Sequence, residues 1–326
     1  MKRVVLGRTG LRVSRLAMGC MSFGGPDAKD YEWTLDYDAS KRVIDRALDL
    51  GINFFDTADV YSTGRSEQIV GKALEGRRGD VVIATKVGLP TGDGPGDRGL
   101  GRRHVKTNLA KSLKNLRTDH VDLYQIHRWD YDTPIEEVLR TLTDAVEGRK
   151  VGHIGASSMW AWQFAKALYT SDRLGLARFA TMQNHYNLAY REEEREMIPL
   201  CREEGVAVMP WSPLARGFLS GKYKRREAPA SLRYRRDSLM KERFFRPEDF
   251  DVVERLAEVA REKGVKPSQL ALAWLLSKEH VTAPIIGPTR VEQLDELVES
   301  LEIRLKRDDV ERLEEPYRPH RVLGHV

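Results

Sequence analysis

The chain has 326 residues, 41% hydrophobic and 32% charged. That length suits one large barrel or two ordinary domains, and the apolar share supports a substantial core. The net charge of +5 comes from 54 basic and 49 acidic residues spread along the chain. It argues weakly for small anionic ligands and poorly for a nucleic-acid footprint. The two cysteines, Cys20 and Cys201, and the eight histidines lack metal-ligand spacing. Two thiols in a chain this long point to a reducing compartment. No cleavage pattern marks the first residues, and no apolar run approaches a membrane span. The expectation is a cytoplasmic protein with no metal and no membrane or nucleic-acid partner.

Residues 2–15 alternate apolar and polar around Gly7 and Gly10, as in a β-hairpin. Leu16–Gly19 reads as the first core strand, residues 24–38 as loop, and Ala39–Leu50 as an amphipathic helix stopped by Gly51. Strand patterns follow near 52–55, 81–86, 121–126, 151–155, 180–183, 206–210 and 282–286. Helix patterns fall near 66–74, 105–116, 134–147, 161–171, 193–204, 267–277 and 290–298, with a last one near 306–314. Strands of Val, Ile and Leu separated by helices imply a parallel sheet. Eight such units imply a closed (β/α)8 barrel. No composition break or Pro-rich linker divides the chain, so residues 1–326 read as a single domain.

Two insertions depart from short loops. Residues 87–104 are rich in glycine, and a lid over the barrel mouth is favoured there over a phosphate loop. Residues 214–247 carry ten basic residues from Lys222 to Arg246. A solvated charge run and contact with a ligand phosphate both stay open for them.

The chemistry-bearing residues stand at strand ends. Asp56 closes the strand near 52–55, and Tyr61 follows in a Ser/Thr/Gly loop. Ser66 is then placed to cap the next helix. Lys86 ends Val81–Thr85, and His127 ends Val121–Ile126. Parallel α/β folds put their chemistry at this edge. A free tyrosine titrates near about 10. An ammonium ~4 Å away, at an effective dielectric near 20, attracts the phenolate by roughly 4 kcal/mol, enough to lower that value by up to about 3 units before desolvation. A carboxylate beside the lysine keeps it charged. The pattern therefore permits Tyr61 as general acid, Lys86 and Asp56 as its tuning pair, and His127 as an orienting donor.

The segments Asp56–Tyr61 with Gly64–Glu67, Lys86 after its strand, and His127–Asp130 resemble the catalytic tetrad of the aldo-keto reductases. Gly155–Ser158, Gln183–Asn187, Trp211–Gly217 and Ile286–Arg290 are similar to the cofactor side of that family. The likeness runs over nearly the whole chain. It is greatest to the bacterial branch related to potassium-channel β subunits, and within it to YajO-like reductases. The resemblance implies a (β/α)8 barrel plugged by the hairpin, and NADPH-dependent reduction of a small carbonyl substrate. It implies that Ser157, Ser158 and Gln183 hold the nicotinamide carboxamide, with Ser158 where the family usually has Asn. Trp211 takes the stacking position, while Tyr186 reads as packing. Ser212, Leu214 and Gly217 fall on the pyrophosphate loop. Gly287, Thr289, Arg290, Gln293 and Glu296 fall at the adenosine end, Arg290 facing the 2′-phosphate. Leu297 replaces an Asn that contacts adenine in relatives. A cofactor-sensing regulatory subunit of the channel-β kind is the competing reading, and oligomeric state is not legible.

Overall fold

Eight short strands lie side by side in one parallel sheet in a computed structural model that describes residues 1–25, 33–94, 96–225 and 243–325. Two strands, β1 (Arg3–Val5) and β2 (Arg12–Ser14), pair antiparallel as a hairpin. The sheet holds β3 (Ala17–Gly19), β4 (Phe54–Asp56), β5 (Val82–Val87), β6 (Val121–Ile126), β7 (Val151–Ser157), β8 (Phe179–Gln183), β9 (Ala207–Val208) and β10 (Ile285–Ile286). Their spatial order is β10-β3-β4-β5-β6-β7-β8-β9. The two edges meet, because Thr282 N donates to Val208 O and Ile285 N to Pro210 O, both at 2.9 Å. The sheet is thus a closed (β/α)8 barrel. Around it run α1 (Tyr37–Asp49), α2 (Arg65–Ala73), α3 (Arg102–Leu116), α4 (Ile135–Glu147), α5 (Ala161–Leu174), α6 (Met197–Glu204), α7 (Pro247–Lys263), α8 (Pro267–Ser277), α9 (Val291–Glu299) and α10 (Arg307–Glu314).

Most expected elements lie where the hydrophobic periods put them. Strands β9 and β10 are shorter than their apolar runs, because Pro210 and Pro284 have no N–H for the ladder. Helix α7 is absent from the sequence reading. Its core face, Val252, Val253, Leu256, Val259 and Ala260, keeps helical spacing between Pro247 at the first turn and Gly264 at the C-cap. The basic run before it drew that boundary into the 214–247 insertion, whose residues 226–242 lie outside those described.

The two-residue period of the strands sorts the barrel interior into layers. Ala17, Phe54, Val82, Ala84, Leu123, Ala207 and Ile285 pack with Leu6 and Val13 of the hairpin, which plugs one end. Gly7 lets the hairpin seat. Its φ is +55°, and a Cβ there would meet Ala180 O at 2.8 Å. Two residues beyond Phe54 comes Asp56, two beyond Ala84 comes Lys86, and two beyond Leu123 comes Gln125. The lumen turns from apolar to polar at the C-terminal rim. Outward-facing Phe55, Ile83, Tyr124 and Ile154 pack against Val43, Ile69, Val105, Leu139 and Phe164 of the helices. Among the described residues no helix is long and apolar enough to cross a membrane.

Candidate active site

Lys86 is fully buried, and its ammonium is closely held. Nζ donates to Asp56 Oδ2 at 2.6 Å, to Thr57 O at 2.7 Å and to Tyr61 Oη at 3.3 Å. The other Asp56 oxygen, Oδ1, accepts from Gln125 Nε2 at 3.0 Å and Gln183 Nε2 at 2.8 Å. Each Asp56 oxygen therefore has a donor, which is the condition for keeping a buried charge pair. Burial works against the Lys86 ammonium, but the charges and hydrogen bonds of Asp56 and Tyr61 outweigh it. Lys86 stays charged, held above the ordinary lysine value.

Tyr61 stands at the head of a tight turn, Tyr61–Gly64, in which Ser62 and Thr63 have φ of 49° and 55°. The left-handed region is costly for a β-branched residue. Ser66 does not cap α2. The cap is Gly64, and Ser66 Oγ instead donates to Cys20 O at 2.7 Å and lies 2.9 Å from Thr57 Oγ1. This stitches the Tyr61 segment to the barrel rim. Lys86 was expected to lower the Tyr61 pKa, but the net shift is upward. Burial raises it, and the opposing charge of Lys86, itself opposed by Asp56, does not fully offset it. Tyr61 is thus a protonated phenol at neutral pH.

His127 follows β6 directly, its ring edge-on to Tyr61 with centroids 5.9 Å apart. Its Nδ1 is buried and meets no partner among the described residues. Burial, followed by the charges of Arg128 and Lys86, keeps the ring neutral, well below the usual histidine range. A neutral imidazole can offer one N–H to a ligand oxygen.

The residues expected on the cofactor side form three groups. Ser157 Oγ lies 3.4 Å from Ser158 Oγ, which accepts from Trp211 Nε1 at 2.9 Å. Gln183 joins this group to the lysine site, since its Nε2 is spent on Asp56 and, at 3.3 Å, on Gln125 Oε1. The Trp211 ring stacks on His185 with centroids 4.2 Å apart, and Arg243 lies 5.0 Å from its centre. Tyr186 is fully buried in the cluster around α7 and α8. The second group is the loop after β9, where Ser212, Ala215, Arg216 and Gly217 all have positive φ. Leu214 O accepts from Gly217 N at 2.8 Å. In the third group, Gln293 Oε1 accepts from both Thr289 N and Thr289 Oγ1. Arg290 caps α9 and forms no ion pair among the described residues. A Cβ on Gly287 would meet nothing. Glu296 turns away to Lys266, at 2.7 Å, and to Ser268, while Leu297 is in the core.

Several residues of the site have no role that the sequence alone assigns. Gln125 sits in the lumen opposite Lys86, and only its register on β6 exposes it. Asp59 and Glu67 are buried acids behind Tyr61, and both Asp59 oxygens lack partners among the described residues. Asp130 Oδ2 accepts from Leu100 N at 2.6 Å and Thr133 Oγ1 at 2.7 Å, pinning the end of the glycine-rich loop. Gly94, Gly96 and Gly99 have the spacing of a dinucleotide fingerprint. Here, however, Gly99 N bonds Gly88 O and α3 begins only at Arg102, so no helix opens within the motif. The C-terminal segment packs onto the rim as well, with Leu323 N donating to Tyr190 Oη and the His325 ring 4.9 Å from Trp160.

Comparison with known proteins places the whole chain in one family. The model of the Aldo/keto reductase family matches residues 15–318. The chain is 40% identical to versiconal hemiacetal acetate reductase of Aspergillus parasiticus, over 97% of each chain. It is 38% identical to the aldo-keto reductase dtxS3 of Metarhizium robertsii, over 98% of this chain and 92% of that one. It is 40% identical to the oxidoreductase YrpG of Bacillus subtilis, over 94% and 93%. A barrel with a buried lysine–aspartate pair at its rim, matched by that family over almost its whole length, makes this chain an oxidoreductase belonging to the aldo/keto reductase family.

Proposed function

We propose that the protein reduces aldehyde or ketone carbonyls to alcohols with NADPH, and that Tyr61 delivers the proton. The observation that carries this reading is the Lys86 ammonium, locked by Asp56 and Thr57 and 3.3 Å from the Tyr61 phenol at the open rim. When bound, the nicotinamide supplies a hydride to the carbonyl carbon. Tyr61 gives its Oη proton to the carbonyl oxygen as negative charge develops there. Lys86 then stabilises the phenolate until solvent reprotonates it, and Asp56 keeps Lys86 charged. His127, neutral, donates a ring N–H to the same oxygen and orients the carbonyl.

The residues present suit the cofactor. The loop after β9 turns tightly through the left-handed residues Ser212, Ala215, Arg216 and Gly217, with Ala215 N and Gly217 N closing onto Ser212 O and Leu214 O, and such a tight turn lets backbone approach a pyrophosphate closely. Arg290, at the start of α9 and without an ion pair among the described residues, suits the 2′-phosphate that distinguishes NADPH. With Nε2 committed to Asp56, Gln183 keeps Oε1 for the carboxamide. Ser157, Ser158, Trp211, Ser212, Leu214, Gly217, Gly287, Thr289 and Gln293 complete the proposed cofactor site. Glu296, engaged by Lys266 and Ser268, would have to exchange partners to join it. The motif likeness favours the branch related to potassium-channel β subunits.

The test is loss of NADPH absorbance with a panel of aldehydes, for the parent and for Tyr61→Phe. The variant should keep its cofactor affinity and lose roughly 100- to 10,000-fold in kcat. Retained turnover removes Tyr61 from the mechanism, and tight NADPH binding with no turnover by the parent favours a cofactor sensor.

A further inference from the structure

Arg128 follows His127 directly and has no part in the mechanism above. Its guanidinium is half-buried at the rim, with Nη1 donating to His127 O and, at 3.4 Å, to Ser157 Oγ. Among the described residues it forms no ion pair. Two acids of the site, Asp56 and Asp130, are already engaged. Asp56 accepts from Lys86, Gln125 and Gln183, and Asp130 accepts from Leu100 N, Asp132 N and Thr133 Oγ1. Burial, with the charge of Arg243 behind it, lowers Arg128 to about 10, so it is still a cation at neutral pH. A guanidinium presents five donors in a planar fork, and these two acceptors leave part of that fork unused. Holding a partly desolvated cation without a counter-ion is costly. Such a group is found where a ligand brings the missing charge.

We propose that Arg128 is a specificity residue that receives a carboxylate or phosphate carried a few bonds from the reacting carbonyl. The proposal rests on the reductase reading, in which adjacent His127 orients that carbonyl. The Arg fork matches a carboxylate or phosphate in two-point geometry. The cofactor's phosphates offer the same chemistry, so the test must separate the two sources.

The test compares 2-carboxybenzaldehyde with its neutral isostere 2-nitrobenzaldehyde, using the parent, Arg128→Gln and Arg128→Lys. NADPH affinity is measured alongside. With Arg128→Gln, KM for the carboxylate should rise roughly 10- to 100-fold, as for the loss of a charged hydrogen-bonded pair. KM for the nitro compound and the Kd for NADPH should stay nearly unchanged. Arg128→Lys should recover part of the loss, since it restores charge but not the fork. Equal changes for both aldehydes would overturn the proposal. So would a selective loss of NADPH affinity, which would assign the anion to the cofactor. Benzoate binding to NADPH-loaded protein, followed by tryptophan fluorescence, is independent of turnover. Arg128-dependent benzoate binding in a protein that reduces neither aldehyde upholds the anion site and sinks the reductase reading. Turnover without any dependence on Arg128 does the reverse.

Discussion

Replacing Asp56 by Asn keeps the shape of the side chain and removes the charge that faces Lys86. The distance is 2.6 Å, and both groups are almost fully buried. At an effective dielectric near 20, that attraction is about 6 kcal/mol. At about 1.4 kcal/mol per unit, its loss is large enough to carry the Lys86 pKa from above the usual lysine value to below it. The new amide would also set a donor against the ammonium. The proton on Lys86 should then be lost at a lower pH than in the parent, and the support for the Tyr61 phenolate goes with it. The kcat profile for aldehyde reduction should accordingly lose its activity at lower pH on the alkaline side, with partial recovery in acid. Stability should reverse its slope too. In the parent, Lys86 has a raised pKa, so its contribution is full below the unfolded value and is lost only above it. In the variant the folded pKa lies below the unfolded one, so stability should increase with pH between those two values. Urea titration checks this, against an expected overall loss of about 3–5 kcal/mol for leaving a buried charge unpaired. A uniform fall in kcat, with the alkaline limb unmoved, would refute the role of Asp56 in holding Lys86 charged.

Arg290→Ala should weaken NADPH roughly 10- to 100-fold by fluorescence titration and leave NADH unaffected; equal losses for both would end the 2′-phosphate assignment. Burial, then the charge of Glu67, lifts the Asp59 carboxyl to about 8. Its folded pKa exceeds the unfolded value, so it costs stability as pH rises from about 4 to about 8, by up to about 1.4 kcal/mol per unit. Asp59→Asn should therefore gain in Tm relative to the parent between about pH 5 and pH 8, and a constant difference rejects the assignment. Gly71→Ala places a Cβ 2.5 Å from Leu116 C and 2.6 Å from Asn115 O, where the α3 backbone cannot yield cheaply. Urea unfolding should show a loss of about 1–3 kcal/mol, as for overpacking elsewhere; an unchanged midpoint would mean that α2 and α3 can part without cost.

What could be read from the chain alone was local and periodic. Val82, Ala84 and Lys86 share one strand face, so an apolar run that ends in lysine already says the charge sits at a rim. Repeated strand and helix periods implied the barrel, and Asp56, Tyr61, Lys86 and His127 stood out because each closes or follows a strand. Helix α7 was missed although its spacing is regular, because a run of basic residues masked where it begins.

Other features needed the closed sheet. Gln125 and Gln183 lie 58 residues apart in the chain, yet both donate to Asp56 Oδ1, and no local pattern encodes that. The sign of the Tyr61 shift is a contest between burial and charge, and burial exists only once the barrel has formed. Likewise, a lone arginine after a histidine looks like any surface cation until the fold half-buries it and commits Asp56 and Asp130 elsewhere. Periodicity is a property of neighbours in sequence, whereas desolvation and pairing belong to neighbours in space.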